Sequence, residues 1–144
     1  MNLQRFRAQK VAVKYGLLLG FTFFIINCVL TFVPLDATMH TIVSYATVPF
    51  IIFFSYVSGF LRMRKTNNLE YAIQSSILTV SLGLLLGFGS LFFLTFSFLD
   101  VVRNNPVTLQ NFQTSGQSDL DNFIRESVIY SATTSVPVSI VLGI

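Results

Sequence analysis

The sequence predicts an all-α integral membrane four-helix bundle, and three observations carry that reading. Of 144 residues, 53% are hydrophobic and 10% are charged, with a mean hydropathy of +0.70; a soluble chain carries about 25% charged residues. Four apolar runs, at about 15–35, 41–61, 71–99 and 125–144, approach or exceed the roughly 20 helical residues that cross a hydrocarbon core. Basic residues gather at one end of those runs and acidic residues at the other.

The helices follow in chain order as one transmembrane domain, 1–144. The first apolar run is longer than the core of a signal peptide and has no small-residue cleavage site before Pro34, so it is expected to stay as an anchor. The short loop "PLDATMH" makes the first two helices antiparallel neighbours, and "RMRKTNN" does the same for the second and third. Residues 101–124 form the one sizeable loop, on the extracytoplasmic side. Within it Asn105 and Pro106 read as an N-cap followed by proline at the first helical position. Leu109 and Phe112 make a short apolar edge. Ser118 with Asp121 resembles a capping box, and Leu120, Phe123 and Ile124 share one helical face leading into the fourth helix. That helix ends at "SIVLGI" without the basic closure that Arg62 supplies to the second, which leaves open a continuation past Ile144.

Charge sets the expected orientation. Arg5, Arg7, Lys10, Lys14, Arg62, Arg64 and Lys65, seven of nine basic residues, fall on one side, and five of six acids fall on the other. The positive-inside rule places the basic side, and with it both termini, in the cytoplasm, the membrane being the inner one. The net charge of +3 is then a topology determinant aided by anionic headgroups, with no nucleic-acid partner implied. Glu70, alone on the basic side, complements the dipole at the start of the third helix and can pair with Arg62, Arg64 or Lys65.

"GLLLGF" occurs at Gly16 and again at Gly83, followed by "TFVPLD" at Thr31 and "TFSFLD" at Thr95 with unequal spacers. Helices two and four each carry a proline, Pro49 and Pro137, about two turns into the span. One reading is a tandem duplication of a two-helix unit about an axis along the membrane normal. The other is chance recurrence among residues common in membrane helices. On either reading Gly16 and Gly20, and Gly83 and Gly87, have G-x-x-x-G spacing, which suits close helix packing within the bundle or in a homo-oligomer.

Intramembrane polar residues are Asn27, Gln74, Thr79, Thr134 and Ser135. They are expected to face the bundle and bond across it, at roughly 0.6 to 2 kcal/mol each. The alternative is a hydrophilic path or small-ligand site. No Asp, Glu, Lys, Arg or His falls in the central part of a span, where ion and proton pathways declare themselves. One histidine, His40, and one cysteine, Cys28, build neither a metal site nor a disulfide. With no nucleophile beside a base, no Walker loop and no dinucleotide fingerprint, the expectation is a non-enzyme with no catalytic residue, cofactor or metal.

The "KYGLLLGF" start, with Lys14, Tyr15, Gly16 and Gly20 followed by a phenylalanine-rich layout and a basic central turn, resembles a large family of small four-helix bacterial membrane proteins defined only as a domain of unknown function. The turn continues here as "NNLEYAIQSS" where that family has a glycine-rich start. The resemblance implies a fold and no activity. Two functional expectations stand. One is a structural or accessory subunit, or an assembly factor, that docks other membrane subunits or itself by packing. The other is a small oligomeric transporter or pore with a polar path along helix four.

Overall fold

A computed structural model describes the backbone of residues 3–143 and the side chains of residues 9–134. The elements are α1 (Leu3–Phe32), α2 (Ala37–Tyr45), α3 (Thr47–Thr66), α4 (Leu69–Ser97), α5 (Leu99–Arg103), α6 (Pro106–Ser115) and α7 (Leu120–Gly143), with no strand among the described residues. Three segments are long and apolar enough to cross a membrane: Gln9–Phe32, Ala37–Thr66 and Leu69–Ser97. The expected fourth span falls on α7, whose side chains beyond Thr134 lie outside the described residues.

Local chemistry explains most boundaries. α1 begins well before residue 15 because the basic stretch ahead of Tyr15 contains no glycine or proline to stop a helix. It ends at Phe32, since Pro34 forbids α geometry at Val33. Asp36 then caps α2, its carboxylate accepting from the Met39 N–H at 2.7 Å. The single helix expected over 41–61 is divided at Ala46 into α2 and α3. The cause is Pro49, which brings no N–H for the Tyr45 carbonyl and whose ring crowds it. Beside the break, the Thr47 hydroxyl donates to the Ser44 carbonyl and the Ser44 hydroxyl to the His40 carbonyl, each at 2.8 Å.

Two asparagines turn the chain from α3 to α4. Asn67 adopts a left-handed conformation (φ 48°) and closes α3, and the Asn68 side chain accepts from the Glu70 N–H to open α4. At the far end Asn105 caps α6 through the Val107 N–H, with Pro106 in the first turn, and Gly116 (φ 72°) ends it. The cap of α7 is Asp119 and not the Ser118 box expected from sequence. Asp119 Oδ1 accepts from the N–H groups of Asp121 and Asn122, and a carboxylate so placed also favours the positive helix end.

α1 lies parallel to α4 along much of its length, and α3 runs antiparallel to α4 while leaning on α1. The core is Leu19, Phe23, Ile51, Val80 and Leu84, with Phe54 and Phe88 against it. α7 rests on α4 and α3; among the described residues none of its Cα atoms comes within 8 Å of α1 or α2. Large apolar side chains cover the outside, among them Leu85 at 70% exposure and Phe21 at 62%. An apolar exterior on this scale is what a lipid-facing surface requires.

Candidate functional site

The bundle holds its polar side chains in two regions, separated by the apolar core. The first lies toward the α3–α4 turn. Gly59 of α3 lets the two helices approach, since a Cβ there would sit 2.5 Å from Ser76 Oγ. The Ser76 hydroxyl donates to the Ser55 carbonyl at 3.0 Å. Thr79 Oγ1 lies 2.7 Å from Ser58 Oγ, which shares a 2.8 Å bond with Ser75 Oγ. Thr79 is fully buried and also reaches the Ala12 carbonyl of α1 at 3.3 Å, so one hydroxyl network ties three helices. Arg62, only 4% exposed, holds its guanidinium over the Tyr71 ring, 5.2 Å from the centroid, at the turn end of this network.

Above the network the two "GLLLGF" copies lie side by side. A Cβ on Gly16 would meet Leu82 at 2.9 Å and one on Gly20 would meet Leu86 at 2.6 Å, while Gly83 faces Leu19 and Gly87 faces Phe23. Each helix thus presents glycines to the other's large side chains. Residue numbers rise together along the seam, which makes the copies parallel and places them at one level. Matching Gly16 to Gly83 would match Leu82 to Tyr15, yet the atoms nearest Gly83 belong to Leu19, one turn on. The seam therefore departs from an exact twofold by a turn.

Asn27 stands on the far side of the core. Its Nδ2 donates to the Gly87 carbonyl at 3.0 Å and to Ser90 Oγ at 2.8 Å. It also borders a small cavity of about 110 Å³ that shares Thr47, Phe88 and Leu91 with a larger one of about 410 Å³. The larger cavity lies among α1, α2, α4 and α7 and is roofed by α6, whose Val107, Thr108 and Asn111 look into it. Its polar lining also includes His40, Thr31, Thr95 and Ser127. A volume of this size lies in the range of small-molecule sites, about 300 to 1,000 Å³.

A charge pair joins α5 to α7, the helices on either side of the roof in the chain. Arg103 binds Asp121 through two hydrogen bonds, Nε to Oδ1 at 2.8 Å and Nη2 to Oδ2, and reaches Asp100 at 3.2 Å. The bond from Arg103, supported by the charges of Arg103 and Arg125, holds the Asp121 carboxyl below its ordinary range. Reciprocally, the bond to Asp121 raises Arg103. Phe112 packs on Phe123 with centroids 5.7 Å apart, and Asn105 Nδ2 donates to the Leu30 carbonyl at 3.3 Å.

The remaining polar residues lie elsewhere. Gln74 is exposed, and its amide donates to Glu70 Oε1 at 3.1 Å, one turn into α4 and outside the bundle interior. Thr134 is exposed on α7 and donates to its own helix at the Tyr130 carbonyl, 2.8 Å away. The Ser135 side chain lies outside the described residues. Sequence reading missed Ser55 and Ser58; small polar residues three apart, beside Gly59 in an aromatic helix, were the available signal. It also missed the burial of Arg62 and the convergence of Thr31 and Thr95, which depend on helix pairing. No family model, curated protein or solved structure matches the chain.

Proposed function

We propose that this chain is a non-catalytic integral protein of the inner membrane, with both termini cytoplasmic, serving as a structural or accessory subunit or an assembly factor. The observation that carries this reading is the use made of the buried hydroxyls. Ser58, Ser75, Ser76 and Thr79 bond one another or backbone carbonyls, and the packed core separates them from Asn27. Polar groups so used hold helices together and present nothing to a passing solute. The glycine pairs serve the same end, bringing α1 and α4 close through small faces. The apolar outer surface then remains for lipid, other membrane subunits or a second copy.

A pore or transporter is the second reading. It is favoured by the exposed hydroxyls of Ser131, Thr133 and Thr134 on α7, which would line a path between protomers. Extraction from native membranes into nanodiscs, followed by native mass measurement, separates the two. Foreign subunits at a fixed ratio are expected. A homo-oligomer without other chains would overturn the accessory reading and direct attention to flux along α7.

A further inference from the structure

We propose that the cavity beneath α6 is a binding site for a neutral, membrane-soluble molecule with a carbonyl or hydroxyl head on an apolar body. The inference rests on the membrane placement above and is independent of the accessory role. It begins with the two threonines of the "TF" pairs that follow the two "GLLLGF" stretches. Thr31 is 8% exposed and Thr95 is 4% exposed, and both line the cavity. Neither side chain makes a hydrogen bond among the described residues. Threonine hydroxyls elsewhere, such as those of Thr22, Thr41 and Thr66, bond the carbonyl four residues back in their own helix. Neither oxygen is sealed off by protein atoms, so both hydroxyls keep their hydrogen-bonding capacity for whatever occupies the cavity they line.

The rest of the lining defines the occupant. His40 and Asn111 add polar side chains, while Phe88 and Phe123 supply apolar walls. No Asp, Glu, Lys or Arg is among the lining residues, so a charged headgroup would enter without a counter-charge. The proposed route in is lateral. α2 and α7 both line the cavity but, among the described residues, have no Cα pair within 8 Å, whereas α6 bridges them from above. A passage between those two helices beneath the roof would admit a molecule from lipid more readily than one from water.

The test uses the full chain in nanodiscs with a diazirine-bearing fatty alcohol, and the fatty acid of the same chain as a charged control. Saturable labelling by the alcohol is expected on α2, α6 and α7, displaced by excess 1-dodecanol and absent with the acid. Removing both hydroxyls in the Thr31→Val/Thr95→Val variant should weaken half-saturation by about tenfold or more. Ser127→Phe, which fills the cavity from α7 without touching that pair, should abolish labelling. Non-saturable labelling spread over outward residues such as Phe53 and Leu85 would overturn the proposal, as would equal labelling by the acid or indifference to both variants. Carbonate extraction of the same membranes separates the failures: a released protein refutes the membrane placement, and a retained, unlabelled one refutes the site alone.

Discussion

Replacing Gly83 with alanine probes the α1–α4 seam directly. A Cβ at this position would lie 2.5 Å from Leu19 Cδ2, 2.6 Å from Cγ and 3.0 Å from Cβ. Leu19 is fully buried in the core, so the clash is not with the free end of a mobile side chain. Either Leu19 leaves its rotamer or the helices separate, and overpacking of this kind costs about 1 to 3 kcal/mol. Alanine also favours a helix over glycine by about 1 kcal/mol, which partly masks the loss. Gly89→Ala on the same helix isolates the packing effect, because a Cβ there meets nothing within 4 Å. The difference between the variants should be about 1 to 3 kcal/mol, or roughly 5- to 150-fold in the folding equilibrium. Reversible unfolding of both variants in bicelles measures it. A Leu19→Ala change added to Gly83→Ala should recover part of the loss as a favourable coupling. Equal stability of the two alanine variants, with no coupling to Leu19, would refute the close seam.

Three further outcomes are expected. Ser58→Ala removes the hydroxyl shared by Thr79 and Ser75 and should destabilise the bundle by about 0.6 to 2 kcal/mol, whereas Ser81→Ala, at an exposed position without a side-chain bond, should change little in the same unfolding assay. Tyr71→Leu should cost about 0.5 to 2 kcal/mol by removing the ring beneath Arg62, and Tyr71→Phe should retain most of that stability; equal losses would exclude the ring contact as the cause. Folding lowers the Asp121 pKa below its ordinary 3.8, so the Arg103 clamp is complete above that pH and is lost as pH falls through the lowered value. Hydrogen exchange of α6 amides, corrected for intrinsic rates, should therefore accelerate at acid pH in the native chain, while Asp121→Asn should show the faster exchange already at neutral pH.

Much of the secondary structure was legible because its signals are local. Pro34 stops α1, the Asn105–Pro106 pair opens α6, and Asn67 with Asn68 occupies the positions that turn α3 into α4. The error at α7 was also local: Ser118 and Asp119 are adjacent capping residues, and hydrogen-bond geometry selects Asp119. The division at Ala46 was signalled by Pro49, whose effect reaches back to the preceding turn.

Composition and residue order by themselves determined that the protein is helical, that three of the four expected segments are long and apolar enough to cross a membrane, and where the small residues fall. The tertiary structure decided which faces meet. It set Leu19 against Gly83, joined Thr79 to Ser58, buried Arg62 and turned Thr31 and Thr95 into one cavity. The physical reason is that side chains facing lipid and side chains facing the apolar core can be equally hydrophobic. The 3.6-residue contrast that marks the inward face of a soluble helix is then largely lost. Glycines and hydroxyls mark candidate contact positions, but their partners depend on helix register and on residues distant in the chain.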